Sequence, residues 1–296
     1  MSLLNQLNVG FTRTQAGGLS DTLFYQIRDF IYQKSGIYFP DNKKYLLESR
    51  LKQRINALKL SSYEEYFRKI NNGLAREELN QLFDAITINE TYFFRNEAQL
   101  NALRHLVIPE LIPQALQSPQ KSIRLWSAAC SSGEEAYTLA LIMKEEFLPR
   151  YPGLRAEVLG TDINTQVLRV AQEGVYREYA VRKVPPNYLR KYFRQTGMRY
   201  EISSEIKQMV RFARVNLFDQ IAMQRIRNVD VIFCANVLIY FDEKSKRKVV
   251  SYLYDSLKPN GYLFLGYSES LHGISHAFKP VHFEKTIVYK KELRYA

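Results

Sequence analysis

The sequence is poor in the residues that staple small folds. Cys130 and Cys234 are its only cysteines and it has four scattered histidines, too few and too poorly spaced for a disulfide framework or a structural zinc site. No apolar run approaches the ~18 residues that a membrane-spanning helix needs. The opening MSLLNQLNVGFTRTQAGG holds no compact apolar stretch followed by a small-residue cleavage site, so no secretory signal is read there and a cytoplasmic location is expected. What is present is a core: 46% of the 296 residues are hydrophobic, which excludes a disordered chain and suggests two domains or one elaborated domain. The 42 Lys plus Arg against 30 Asp plus Glu leave a formal charge of +12, which favours polyanionic or acidic partners without choosing between nucleic acid and protein.

Periodicity divides the chain. Residues 1–18 are polar and aperiodic and read as a flexible arm. Leu23, Phe24, Ile27, Phe30 and Ile31 then recur at helical spacing with Gly36 as a stop, and Asp41 is expected to cap a second helix with the stripe Leu47, Leu51, Ile55 and Leu58. Lys43, Arg50 and Arg54 fall within about 40° of one another beside that stripe, making a basic helix edge. Ser62 and Glu65 form a capping-box pattern, and a further helix is expected from Ala75 to Ile86. The reading is therefore an α/β protein: a helical amino-terminal domain at 19–96, a connecting helix and linker at 97–120 with a hinge at Gln117–Gln120, and a doubly wound domain at 121–292. In that second domain apolar runs at 123–129, 156–160, 229–234 and 262–266 alternate with helical patterns, and 281–290 reads as an antiparallel pair at a sheet edge. Alternation around Tyr200 and Ile202, followed by Met209, Val210 and Phe212, predicts a small β insertion at about 197–213.

The sharpest motif is Trp126-Ser-Ala-Ala-Cys-Ser-Ser-Gly-Glu-Glu-Ala-Tyr137, an apolar strand breaking through small residues into a helix. Backbone can approach a ligand there and helix N–H groups face it. One glycine stands where a dinucleotide fingerprint has three, and Glu134 and Glu135 at the mouth would repel a pyrophosphate but suit a cation. That favours S-adenosylmethionine over a nicotinamide dinucleotide, unless the two acids only complement the helix dipole. Asp162, ending the next strand in GTDIN, has the chemistry to hold a ribose diol or to cap a helix, and its 29-residue distance from Gly133 does not choose.

The segment ITINETYFFR at 86–95, the 126–137 loop, GTDIN at 160–164, FCANVLIYF at 233–241 and GYSES at 266–270 together closely resemble the bacterial chemotaxis receptor methyltransferases, the CheR-type enzymes. The resemblance spans about residues 20–290 in order. It implies a Rossmann-like class I methyltransferase domain and transfer of methyl from S-adenosylmethionine to receptor glutamates, with S-adenosylhomocysteine as product. Asn89, Thr91 and Arg95 would reach the cofactor from the amino-terminal side. Glu134 and Asp162 would hold its amino and ribose groups, while Asn216-Leu217 and Asn236-Val237 would line the adenine and the reaction end. The bland alternatives are a turn residue at Asn216 and a helix cap at Asn236. Arg95 is read as orienting cofactor or acceptor, and Tyr240 as donating a directing hydrogen bond or simply packing.

The partner implied is the cytoplasmic helix bundle of a chemoreceptor, docked on Lys43, Arg50 and Arg54; no nucleic acid, no membrane insertion and a monomer are expected. Between Arg182 and Arg214, nine Lys/Arg against two Glu offer a second basic surface. The departures from the family pattern are Ala136 for proline, Ala235 for arginine and Tyr267 for histidine. Some relatives add a receptor's carboxy-terminal pentapeptide as a strand to the β insertion; the loop at Thr196-Gly197-Met198-Arg199 is short, so tether-independent docking is expected. The competing functions are an RNA methyltransferase, disfavoured because Asn236-Val-Leu-Ile-Tyr240 lacks proline, and a non-catalytic S-adenosylmethionine-binding scaffold.

Overall fold

The computed structural model describes residues 18–72 and 75–292, so the expected arm at 1–18 lies, apart from Gly18, outside the described residues. Helix α1 (Asp21–Ser35) starts where the Ser20 hydroxyl accepts from the Leu23 amide, and ends at left-handed Gly36. Helix α2 (Lys44–Leu58) does not take Asp41 as its cap. Asp41 opens a 3₁₀ turn and its carboxylate accepts from the Arg28 guanidinium at 3.0 Å, a charge-assisted partner that displaces the capping role. Helix α3 (Tyr63–Asn71) begins with Ser62 accepting from the Glu65 amide, but Glu65 reaches back to Ser61, one residue beyond a capping box. Helix α4 (Arg76–Ile86) completes a core of Phe24, Ile27, Ile31, Leu47, Leu51, Tyr66 and Leu82.

Arg54 is not part of an exposed basic edge. Its guanidinium forks onto Glu78 at 3.0 and 2.8 Å, and the Tyr66 hydroxyl donates to the same carboxylate at 2.9 Å, so α2 is clamped to α4 beneath the surface. The amphipathic arithmetic placed Arg54 correctly beside the stripe; what it could not supply was the acid across the helix pair. Arg50 makes no ion pair among the described residues.

Helix α5 (Glu97–Ala102) passes through a widened π turn into α6 (Ile108–Gln117), with the turn ending just before Pro109, whose ring removes a backbone donor. This continuous rod is the expected connecting helix. Ser118 stitches the linker, its hydroxyl donating to the Ala115 carbonyl and accepting from the Lys121 amide.

The second unit runs β1 (Ser122–Ala128), α7 (Glu134–Ile142), β2 (Arg155–Asp162), α8 (Thr165–Glu173), β3 (Val175–Arg177), α9 (Glu178–Val181), α10 (Pro186–Tyr192), β4 (Phe193–Thr196), β5 (Arg199–Ile202), α11 (Ser204–Lys207) and β6 (Val210–Arg214). It continues with α12 (Gln220–Gln224), β7 (Val229–Cys234), α13 (Glu243–Ser256), β8 (Leu257–Leu265), β9 (Phe278–Phe283) and β10 (Thr286–Lys291). Seven strands form one sheet in the order β6-β2-β1-β7-β8-β10-β9, parallel up to β8 and antiparallel at the last two, as 281–290 suggested. Both faces are covered: Ile123, Leu125, Val231 and Phe233 pack on one side, Trp126, Ala128, Ile232 and Cys234 on the other. The chain leaves β1 towards β2 on one flank and later fills β7 on the other, so β1 marks the switch point where a crevice opens.

The β insertion differs from its expected bounds. It is a three-stranded antiparallel sheet, β3-β5-β4, spanning 175–202, whereas Val210 to Arg214 forms the edge of the main sheet, parallel to β2. Phe212 explains the reassignment. Its ring lies against Gly160, where an added Cβ would come within 2.6 Å, and meets Tyr137 edge to face at 5.3 Å. The β4–β5 turn is as short as expected, Thr196 pairing with Arg199 across Gly197 and Met198.

Removing Arg54 should leave the nearly buried Glu78 unpaired, so Arg54→Ala is expected to destabilise the protein by about 3 kcal/mol, while Arg50→Ala stays within about 0.5 kcal/mol of the parent in denaturant titration. Equal melting of the two variants would refute the clamp.

Candidate functional site

A cavity of about 540 Å³ opens at the carboxyl ends of β1, β2 and β7, roofed by the helical unit. The two units are joined around it by hydrogen bonds: Tyr32 to Asp242, the Tyr38 amide to the Tyr240 carbonyl, and Asn164 and Thr165 to Thr87 and Asp84.

The floor is the loop after β1. Ala129, Ser131 and Gly133 all take left-handed backbone, folding the chain tightly before α7. A side chain at Gly133 would meet Ala171 at 2.8 Å, so the close packing of loop on α8 demands glycine. Asp162, buried at the end of β2, holds this loop: its carboxylate accepts from the Ser131 amide at 2.8 Å and from the Asn164 amide at 2.9 Å. Asp162 is not the cap of α8, because Asn164 fills that role by accepting from Gln166 and Val167. Burial pushes the Asp162 carboxyl above its ordinary value, against the pull of its backbone donors.

The two glutamates at the start of α7 part company. Glu134, expected to hold the cofactor's amino group, is almost fully buried, takes a hydrogen bond from the Ser132 hydroxyl and lies outside the cavity wall. Glu135 lines the cavity instead, with the Ser127 hydroxyl donating to it at 2.6 Å. One helical step of about 100° separates the two side chains, and sequence alone gave no phase for the helix start. Burial raises each carboxyl to about 7, Glu135 against the opposing pull of Arg95.

The wall facing this floor comes from 87–95. Phe93 anchors it, its ring edge to face with Tyr176 and Phe193 at 4.9 and 5.2 Å. Asn89, Thr91 and Arg95 all reach the cavity. The Asn89 carbonyl accepts from the Ser131 hydroxyl, and the Arg95 guanidinium donates to the Glu90 carbonyl at 2.6 Å.

The third wall is the turn after β7, with Asn236, Val237 and Tyr240. Asn236 is left-handed, and the turn folds over Glu269, whose carboxylate accepts from the amides of Gly266, Asn236, Val237 and Ile239 at 2.6, 2.7, 2.9 and 3.3 Å. Burial raises the Tyr240 phenol, with Arg95 opposing the shift. Asn216 and Leu217 complete the lining, but the Asn216 amide donates to the Lys34 carbonyl at 2.7 Å and its oxygen accepts from Phe218, so it ties the wall to α1.

From the helical unit come Tyr38, Phe39 and Lys43, whereas Arg50 and Arg54 stay outside. The sequence reading placed both Glu134 and Glu135 at the mouth and gave the amino-group role to Glu134, whereas Glu135 is the one of the two that lines the cavity; Glu269 as the hub of a wall was not read, although GYSES had been singled out. The second basic surface is partly committed. Arg194 and Lys207 pair with Glu201, Lys191 pairs with Glu145, and the Arg182 guanidinium sits 3.6 Å from the ring centres of both Tyr92 and Tyr179.

Comparison with known proteins settles the class of this site. Residues 22–87 match the domain family described as "CheR methyltransferase, all-alpha domain", and residues 89–287 match "CheR methyltransferase, SAM binding domain". The chain belongs to the CheR methyltransferase family. It is 39% identical over 275 residues to "Chemotaxis protein methyltransferase 2" of Vibrio cholerae, covering 92% of this chain and 94% of that protein. It is 35% identical over 244 residues to "Chemotaxis protein methyltransferase" of Borreliella burgdorferi, covering 82% and 86%, and 33% identical over 281 residues to the protein of that name in Salmonella typhimurium, covering 92% of each. The cofactor of this family's second domain is S-adenosylmethionine, and the cavity suits it. Two desolvated carboxylates, Glu135 and Asp162, face a space too acidic for a pyrophosphate, and apolar walls from Phe94, Leu217 and Val237 leave room for a base.

Asp162→Ala is expected to weaken S-adenosylmethionine binding by about 1–3 kcal/mol, because a charged acceptor is lost from a buried site; unchanged affinity in calorimetry would leave Asp162 as a loop pin only. The pH dependence follows from Glu135. Its carboxyl titrates at about 7 in the free protein, and a cation bound beside it lowers that value. Affinity measured by calorimetry across pH is therefore expected to be full above about pH 8 and to fall by about tenfold towards pH 6, as the carboxylate takes up a proton. Glu135→Gln should flatten the profile.

Proposed function

We propose that this protein transfers the methyl group of S-adenosylmethionine to glutamate side-chain carboxylates on the cytoplasmic helices of chemoreceptors, leaving methyl esters and S-adenosylhomocysteine. The observation that supports this most is the charge plan of the cavity: acids on the floor for a cationic donor, and one guanidinium, Arg95, with the phenol of Tyr240 on the walls towards which an anionic acceptor comes. No histidine lines the cavity among the described residues. A glutamate acceptor with an ordinary value near ~4.3 arrives already ionised and needs no general base.

When bound, S-adenosylmethionine supplies an electrophilic methyl on a positively charged sulfur. Glu135 is assigned to its amino group and Asp162 to its ribose hydroxyls. Asn89 and Thr91 close the side opposite β1, Leu217 and Val237 enclose the adenine and the reaction end, and Asn216 stiffens the wall they stand on. Arg95 and Tyr240 orient the acceptor carboxylate. Their task is alignment, since in-line geometry supplies several kcal/mol and a cation that gripped the carboxylate harder would stabilise the ground state. Charge is neutralised as the ester forms, so a cavity that excludes water favours the step.

Docking is assigned to Lys43, in the 3₁₀ turn before α2 at the cavity rim, and to Arg50 on α2, with Arg54 removed from the docking set by its clamp on Glu78. The protein works as a cytoplasmic monomer in this reading; no described helix is long and apolar enough to cross a membrane. The two-residue turn at Gly197 and Met198 supports docking without a carboxy-terminal tether.

Incubation with methyl-labelled cofactor and receptor cytoplasmic fragments should give label released as methanol by base, the signature of a carboxyl ester; label transferred to RNA instead would favour the competing reading. Lys43→Ala and Arg50→Ala should each raise the apparent Michaelis constant for receptor several-fold, more steeply at low salt, with cofactor affinity unchanged. Salt-insensitive micromolar binding of an aromatic-rich pentapeptide would overturn tether independence.

A further inference from the structure

We propose that Glu269 is a positioning residue for methyl transfer, which sets the reaction-end wall by acting as an internal anion for the amides of the 236–240 turn. This rests on the methyltransferase reading of the cavity, and adds to it a residue that need not touch cofactor or acceptor.

The geometry is specific. Oε2 of Glu269 accepts from the Gly266 and Asn236 amides, and Oε1 from the Val237 and Ile239 amides, so one carboxylate satisfies four backbone donors of two separate segments. Such a ring of amides around a carboxylate is charge-assisted and strongly directional. The fit leaves no slack at Gly266, where a Cβ would stand 2.6 Å from Oε2 and 2.7 Å from the Asn236 amide. Asn236 is held at a φ of 63°, a conformation that asparagine tolerates but that the surroundings must stabilise. The consequence reaches the cavity through the chain itself. Asn236, Val237, Ile239 and Tyr240 all line it, together with Glu135 and Asp162. The Tyr240 carbonyl also accepts from the Tyr38 amide, so the same turn aligns the helical unit over the cavity mouth.

Glutamine tests the charge and the acceptors without changing the shape. In either orientation its amide group would face two of the four N–H donors, where it cannot accept, so the turn must relax. Aspartate keeps the charge but is one methylene too short to serve all four.

The experiment is steady-state methylation of receptor fragments by the full-length protein, with S-adenosylhomocysteine affinity measured by calorimetry. Glu269→Gln is expected to lower kcat by roughly tenfold or more, with the receptor KM and S-adenosylhomocysteine affinity each within about threefold of the parent. Glu269→Asp should fall between. An unchanged kcat overturns the proposal, and so does a loss of kcat accompanied by parallel loss of product affinity and thermal stability, which is what a purely structural residue would give. If Glu269→Gln is insoluble, amide exchange of the unaltered protein by NMR decides: protected amides at Asn236, Val237, Ile239 and Gly266 support the hub, and rapid exchange at all four overturns it. Failure of the parent protein to bind S-adenosylhomocysteine would instead sink the methyltransferase reading.

Discussion

Burial of negative charge at the ends of parallel strands is the constraint on which this structure turns. The chain carries an excess of twelve positive charges, yet its cavity is floored by Glu135 and Asp162, with Glu134 buried just behind. Each desolvated carboxylate works against folding, since its charged form is more stable in water. For Glu134 and Glu135, whose carboxyls are raised from 4.5 to about 7, the folded state binds protons that the unfolded state has released, so folding stability declines as pH rises from 4.5 towards 7. A cation beside Glu135, as proposed for the cofactor's amino group, would offset that penalty and so couple cofactor binding to folding stability.

The acids differ in how they are held. Asp162 and Glu269 are fixed by backbone amides, two on one and four on the other, and therefore act as struts: Asp162 holds the loops after β1 and β2, and Glu269 those after β7 and β8. Glu135 has a single hydroxyl donor and retains capacity for a ligand. The distinction divides the site into a rigid frame and an acid free to respond to what is bound. Two of the left-handed residues here, Ser131 and Asn236, present their own amides to these carboxylates.

Much of this was legible in the sequence because the signals were local. Period-2 and period-3.6 patterns located α1 to α8 and the strands β1, β2, β7 and β8, and small residues between a strand and a helix located the cavity floor. What could not be read was anything decided across the fold. Glu134 and Glu135 differ only by the phase at which α7 begins, and nothing local fixes that phase. Arg54 lies where helical arithmetic put it, but its partner Glu78 stands on another helix 24 residues away. Val210 to Arg214 was assigned to the insertion because it follows it closely; its place in the main sheet depends on Phe212 finding Gly160, a contact with no signature in either segment alone.

The reversal of charge between surface and cavity bears on how such a site selects its reactants. The docking proposed for the basic exterior, with Lys43 at the rim, would raise the encounter rate of acidic helices, an effect that acts over about a Debye length and carries little sequence information. Inside, the sign changes, and a free carboxylate moving deeper would meet Glu135 and Asp162 unless a cation already occupied the floor. Acceptor entry without cofactor is thus opposed by like charge. With the cofactor in place, its positive sulfur and Arg95 supply the complement. In the proposed reading this arrangement of charge favours cofactor binding before acceptor without any moving part, through short-range electrostatics that salt screens far less than charges on the exterior.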